Sequence, residues 1–290
     1  MAAALIASIA SLRQQLAYAR QANHTIGLVP TMGALHAGHR RLLEQARRDC
    51  DTVVASIFVN PLQFDREDDL RRYPRTLEAD REMCSQVGVD IVFAPSVEEI
   101  YPSTPECTID VGRLADYLCG RFRPGHFRSV ATVVMKLFWI VQPDRAYFGE
   151  KDAQQLAVIR RMVRDFNVAL QIVGVATVRE DDGLAMSSRN ARLTPVERPL
   201  AIALFRALQT ADGLITAGET DPAAVKRAAA ATIPGDPSLR LEYLDIVDPS
   251  DMQPVDRITA PVRIAGALWV GSTRLIDNLL SSPEGKRHTG

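Results

Sequence analysis

Five histidines are spread over 290 residues, and two of them, His36 and His39, stand three apart in the string Pro30-Thr31-Met32-Gly33-Ala34-Leu35-His36-Ala37-Gly38-His39. The string joins an apolar run to a helical pattern. Gly33 and Gly38 let backbone approach a ligand closely, and the helix that follows opens with unpaired N–H groups. Such an end attracts phosphate. Residues three apart at a helix entrance can face one side, so two imidazole donors would flank one anion beside a positive dipole end. That arrangement suits phosphoryl or nucleotidyl transfer, in which the protein positions reactants and stabilises charge on non-bridging oxygens. Two readings compete with it: a capped helix with exposed histidines, and a pair of metal ligands. The second lacks a nearby third Cys, His or Glu.

Three further strings carry anion-binding groups. Met186-Ser187-Ser188-Arg189-Asn190 offers two hydroxyls and a guanidinium on a polar, turn-rich stretch. In Gly149-Glu150-Lys151-Asp152, directly after a strand-like run, Lys151 is a candidate phosphate contact and Asp152 a candidate N-cap. In Arg123-Pro124-Gly125-His126-Phe127, a phosphate-facing role for Arg123 and His126 competes with capping of another helix. Taken alone, the SSRN stretch is compatible with an ordinary solvated loop.

The elements that must position these groups alternate. Strands are expected at Thr25 to Val29, Thr52 to Val59, Val89 to Phe93, around Ala146 and at Leu170 to Val175. Helices are expected at Gly38 to Cys50, Leu77 to Gln86, about Phe127 to Val141, and Ala153 to Phe166. Parallel neighbours need crossover helices, so the alternation predicts an α/β fold with a parallel sheet flanked by helices and ligands at the carboxyl ends of its strands. Leu5, Ile9, Leu12 and Leu16 recur at helical spacing and predict an amphipathic first helix. Val130 to Val141 is apolar nearly all round, the pattern of a buried helix or, alternatively, of a dimer contact. After Val178 the texture changes: helices at Pro199 to Leu214 and Asp221 to Ala231 precede strands at Arg240 to Val247, Pro261 to Val270 and Ser272 to Leu280. The expected division is residues 1–178 and a smaller C-terminal α+β domain, 179–290, with a disordered tail from about 281 to 290.

Composition removes several classes. With 34 basic and 35 acidic residues the net charge is -1, so no global field attracts nucleic acid or an anionic membrane. No run of apolar residues is long enough to span a bilayer. Cys50, Cys84, Cys107 and Cys119 form no CxxC pair, which fits a reducing compartment.

The double-histidine turn and the serine-rich basic loop together resemble the HIGH and KMSKS pair of the nucleotidyltransferase superfamily. Within it, PTMGALHAGH, FVNPLQFD, YPRTLEAD, RPGHF, FGEKDAQQ and DGLAMSSRNARL, in this order, resemble the pantoate-beta-alanine ligase family over essentially the whole chain. Ser129, where glycine is expected after RPGHF, and Cys119-Gly120-Arg121 depart from the pattern without removing a group of assigned chemistry.

The resemblance implies a Rossmann-like nucleotide- and pantoate-binding domain with a C-terminal lid domain. It implies ATP as co-substrate with Mg2+, pantoate and beta-alanine as substrates, a cytoplasmic homodimer, and neither a nucleic-acid nor a membrane partner. By motif match His39, His36, Lys151, Ser187, Ser188 and Arg189 become the catalytic set. ATP contacts become Met32 to His39, that is Met32, Gly33, Ala34, Leu35, His36, Ala37, Gly38 and His39, together with Gly149, Glu150, Lys151, Asp152, Val178 and Met186 to Arg189. Pantoate or beta-alanine would meet Gln63, Gln155, Pro30, Met32, Asn60, Tyr73, Arg123 and His126, and Asp80 would stand near the metal. The polar loop around 179–190 would serve as hinge and clamp. Rival readings are another adenylyltransferase using the same histidine turn, and a non-catalytic nucleic-acid module related to synthetases.

Overall fold

Ile26–Thr31 and Thr52–Ile57 are buried along nearly their whole length and pair in parallel, as strands covered on both faces do. The computed structural model describes residues 2–283. These residues fall into two compact units, one drawn from residues 2–111, 123–150 and 158–178, the other from residues 112–122, 151–157 and 179–283.

In the first unit β1 (Ala4–Ile6), β2 (Ile26–Thr31), β3 (Thr52–Ile57), β4 (Ile91–Phe93), β5 (Arg145–Gly149) and β6 (Gln171–Val175) form the expected parallel sheet, in the order β1-β4-β3-β2-β5-β6. From β2 the chain first builds outward through β3 and β4, then returns to place β5 on the opposite side of β2. Such a reversal of strand order is where an open α/β sheet binds its ligands. The α-helices, in chain order through the whole protein, are α1 (Ile9–Gln21), α2 (Ala37–Asp49), α3 (Glu67–Arg71), α4 (Leu77–Val87), α5 (Val97–Ile100), α6 (Leu118–Phe122), α7 (His126–Val141), α8 (Ala153–Asp165), α9 (Ala203–Thr216) and α10 (Pro222–Ala230). Leu42, Leu43 and Ala46 of α2 pack with Val29, Val53, Ala55 and Val92 of the sheet. On α7, eleven side chains are buried but Trp139 is 63 % exposed, so the apolar helix is covered on most of its circumference rather than all of it.

Two expectations are corrected at the ends of the chain. Leu5 lies in β1, and α1 begins only at Ile9, where Ser8 accepts the Ser11 amide as its cap. The strand pairs in register with β4, and that long-range pairing overrides the helical spacing of Leu5. Ser281 ends β9 (Thr273–Ser281) instead of opening a disordered tail; residues 284–290 lie outside the described residues.

In the second unit β7 (Leu239–Val247), β8 (Val262–Val270) and β9 form an antiparallel sheet in that order. A 3-10 turn at Arg198–Ile202, opened by Pro199, leads into α9, and Leu204, Leu208 and Ile215 of α9 pack with Ile246, Ile264 and Leu268 of the sheet. A Cβ at Gly266 would come within 2.7 Å of Leu204 Cδ1, so glycine is what lets α9 approach β8. The chain enters this unit at Gly112–Phe122 and at Lys151–Ala157 before doing so for good at Arg179. Side chains account for both early entries: Gln154 Nε2 donates to the carbonyls of Leu114 and Tyr117 at 2.7 and 2.8 Å, and the Phe122 ring stacks on Tyr243.

Leu43 is fully buried between α2 and the sheet. Leu43→Ala should cost about 2–5 kcal/mol of stability, read from urea unfolding. An unchanged midpoint would contradict this packing.

Candidate active site

The carboxyl ends of β3, β2 and β5 are adjacent, and each strand runs into one of the strings that carry chemistry. After β2, Gly33 and Ala34 both take left-handed backbone, with φ of 81° and 50°. The second conformation is uncommon for a residue with a Cβ and needs support. Asp80 of α4, 2 % exposed, supplies it: Oδ2 accepts the Ala34 amide at 2.9 Å, Oδ1 accepts the Leu35 amide at 2.8 Å, and Thr76 Oγ1 donates to Oδ1 at 3.2 Å. A Cβ at Gly33 would sit 2.9 Å from Asp80 Oδ2 and 3.0 Å from Ile57, so glycine is required there.

Asp80 was expected at the metal. Both of its oxygens accept backbone amides, so the buried carboxylate has partners within the protein. Among the described residues no three His, Cys, Asp or Glu side chains are grouped to hold a metal ion. Beside Asp80, burial first and the Asp80 charge second push the Cys84 thiol up to about 12, which makes it an unreactive core residue.

The turn delivers His36 as the N-cap of α2. His36 Nδ1 accepts the Gly38 amide at 3.1 Å, and His39 Nδ1 accepts the His36 amide at 3.3 Å, a reciprocal capping box built from imidazoles. An accepting Nδ1 leaves the proton on Nε2, so both rings are fixed as Nε2–H donors. Their centroids are 4.1 Å apart. One nitrogen of each ring orders the helix, so the capping that the sequence left as an alternative is present.

After β3, Asn60, 1 % exposed, caps the 3-10 turn Pro61–Gln63 by accepting the Leu62 amide, and its Nδ2 donates to Gln63 Oε1 at 3.2 Å. Gln63 Nε2 in turn donates to Met32 Sδ at 2.8 Å. Three residues expected at the pantoate, Met32, Asn60 and Gln63, are thus brought into one contact chain. Pro30 lies in β2 just before the histidine turn, half-buried. Tyr73 is buried edge-on against Phe64. Arg123 and His126 reach the same loop through the Gln63 carbonyl and Asp65. Burial raises the Asp65 carboxyl, but hydrogen bonds and charge from Arg123 outweigh it and hold it below the usual carboxylate range. That ion pair therefore helps stability above the ordinary carboxylate range and loses its effect as pH falls through the depressed value. After β5, Gly149 and Glu150 close the strand half-buried, on the same edge as the histidine turn.

The remaining expected residues belong to the second unit, apart from Val178 at the end of the first. Lys151 is held by its own carbonyl, which accepts Asn278 Nδ2 at 2.9 Å, and its Nζ lies 3.9 Å from Asp152. Gln155, one residue after the buried Gln154, is half-buried on α8. Met186 precedes a 3-10 turn, Ser188–Arg192, whose cap is Ser187: its Oγ accepts the Arg189 amide at 3.2 Å. Asn190, outside the expected set, anchors that turn by donating to Glu180 Oε1 and the Ala185 carbonyl. Behind it, Arg179 forms a two-pronged pair with the buried Asp277, at 2.6 and 3.0 Å, and lies over the Phe205 ring. Gly183, at φ 96°, would place a Cβ 2.4 Å from Phe205. Residues 179–190 are therefore fixed to the second unit at several points.

Comparison with known proteins decides the family. A model of the family described as pantoate-beta-alanine ligase matches residues 4–280. The chain belongs to the pantoate-beta-alanine ligase family. It is 53 % identical to the pantothenate synthetase of Moorella thermoacetica over 95 % of this chain and 98 % of that one. A crystal structure of pantothenate synthetase from Thermus thermophilus superposes with a TM-score of 0.91 at 47 % identity, over 97 % of this chain and all of that one. Pantoate-beta-alanine ligase from Francisella tularensis, crystallised with beta-gamma ATP and beta-alanine, superposes with a TM-score of 0.80 at 34 % identity, over 96 % and 98 % of the two chains. The family's double-histidine string here stands on the Asp80 carboxylate, a contact for which the sequence offers only the string YPRTLEAD as a signal.

Asp80→Asn puts an NH2 group where one backbone amide now finds an acceptor. It should cost about 1–3 kcal/mol of stability and speed hydrogen exchange at Ala34 or Leu35. Unchanged exchange at both amides would show that the carboxylate does not hold the turn.

Proposed function

We propose that this chain joins pantoate to beta-alanine in two steps on ATP, releasing pyrophosphate and then AMP. The observation that carries the proposal is the adjacency of three strand ends: the double-histidine turn after β2 stands between the Gln63 loop after β3 and the Gly149 turn after β5.

The first step needs no general base, because the carboxylate of pantoate is ionised at neutral pH. It needs charge cancelled at the α-phosphate as the carboxylate oxygen attacks and pyrophosphate leaves. The Nε2–H groups of His36 and His39 supply donors whose direction the capping box has already fixed, and the start of α2 adds its dipole. Lys151, Ser188 and Arg189 add ammonium, hydroxyl and guanidinium donors for the β- and γ-phosphates. Gln63, Asn60, Gln155 and Met32 suit a small hydroxy acid with an apolar quaternary carbon, offering amides for its oxygens and apolar wall for its methyls. In the second step the neutral amine of beta-alanine attacks the pantoyl carbonyl, and AMP departs as the amide forms. Water must be kept from the acyl adenylate until then.

Residues 179–290 as the lid, Mg2+ brought with the nucleotide, a homodimer and a cytoplasmic location complete the proposal by family likeness. Among the described residues no helix is long and apolar enough to cross a membrane.

AMP release should depend on both pantoate and beta-alanine. His39→Ala should lower turnover by about two orders of magnitude or more while the fold survives, the size expected for a lost preorganised donor. Turnover near that of the unaltered protein would remove His39 from the mechanism. If one nucleotide engages both sets of groups, adding ATP should slow amide exchange in residues 33–39 and in residues 186–190 together. Protection confined to one segment would refute their joint action.

A further inference from the structure

The Gln63 carbonyl accepts two side-chain donors at once. Arg123 Nη2 donates to it at 3.1 Å, and His126 Nδ1 lies 3.0 Å away. Arg123 Nη1 is also 3.1 Å from His126 Nε2. A guanidinium can only donate, so that contact requires a lone pair on Nε2 and places the single ring proton on Nδ1. From Nδ1 the proton points at the Gln63 carbonyl, and one protonation state satisfies all three contacts. The other face of the guanidinium is held by Asp65, whose Oδ1 accepts Nη2 at 2.7 Å and Nε at 3.0 Å.

This brace grips the backbone of Gln63 from the start of α7, while its side-chain amide is held by Asn60 and Met32. Asn60 Nδ2 also lies 3.4 Å from the Ser129 carbonyl of α7, so this segment meets Asn60 as well as Gln63. Ser129, where the family pattern has glycine, turns its hydroxyl back to the Gly125 carbonyl at 3.1 Å and stays out of the brace. Both ring nitrogens of His126, and the Nε, Nη1 and Nη2 groups of Arg123, have partners within the protein.

We propose that Arg123 and His126 are positioning residues for pantoate selection: they lock the Gln63 loop through its backbone carbonyl and do not themselves bind substrate. This rests on the ligase reading and on Gln63 as a pantoate ligand. It departs from the direct contact to pantoate or beta-alanine that the RPGHF motif suggests for these two residues.

The proposal is tested in two ways, one of which needs no activity. In the full-length protein labelled with 15N-histidine, His126 should show a protonated Nδ1 and an unprotonated Nε2, the reverse of His36 and His39. Arg123→Ala should abolish that preference for His126 alone. The opposite tautomer at His126 overturns the brace whether or not the protein ligates anything. In steady-state assays His126→Ala should raise the KM for pantoate about tenfold, the effect of one lost hydrogen bond of about 1.4 kcal/mol. The KM for ATP and for beta-alanine should stay within about twofold. His126→Asn, which can present an amide N–H to the same carbonyl, should recover most of that loss. A rise confined to the KM for beta-alanine would make His126 a direct ligand and refute positioning. Equal losses in every constant, unrelieved by asparagine, would reduce it to general stability and refute it as well. Pantothenate formation absent from the unaltered protein, with the His126 tautomer as stated, would refute the ligase reading and leave the brace standing.

Discussion

The pair of hydrogen bonds from the Ala34 and Leu35 amides to Asp80 is the contact on which the histidine turn of the first unit depends. A carboxylate buried to 2 % exposure is costly unless its oxygens are satisfied, and two backbone amides plus a threonine hydroxyl satisfy it. The same bonds hold two consecutive left-handed residues, a conformation the backbone would otherwise leave. The direction of the chain entering α2 follows from that turn. So does the histidine capping box.

The sheet contributes a second constraint. Because all six strands run parallel, every loop that follows a strand leaves from the same edge. Three of those loops, after β3, β2 and β5, leave from adjacent strands, and the contact from Gln63 to Met32 ties two of them directly. The polar frame around Gln63 is over-determined: backbone carbonyl, side-chain oxygen and side-chain nitrogen each have a protein partner. Such a frame keeps an amide in one orientation and resists the rotation that would exchange its donor and acceptor.

The second unit treats its serine-rich loop in the same manner. Its anchors are an ion pair to the buried Asp277, a cation over Phe205, and Asn190 bonded to Glu180. Arg198 adds a further clamp across Glu180 and Asp182 at 2.6 and 2.7 Å, and holds the Asp182 carboxyl below its usual range chiefly by hydrogen bonding. The loop therefore belongs mechanically to the second unit. A movement that carries Ser188 and Arg189 would carry that unit with them.

Periodicity determined most of the elements by itself, since burial on two faces leaves unbroken apolar runs and burial on one helical stripe leaves a 3.6-residue repeat. It failed at Leu5, where pairing with β4 decides and no local signal reports it. The order of motifs placed the chain in its family, because recognising a triphosphate needs the same few donors wherever they occur. Tertiary structure alone decided what those polar residues touch. Asp80 supports the histidine turn, His36 and His39 cap α2, and Arg123 and His126 hold the Gln63 carbonyl. The physical reason is one of range. A hydrophobic pattern is written along a few turns of chain, whereas a hydrogen bond between residues some 45 or 60 positions apart exists only once the sheet has brought them within 3 Å or so.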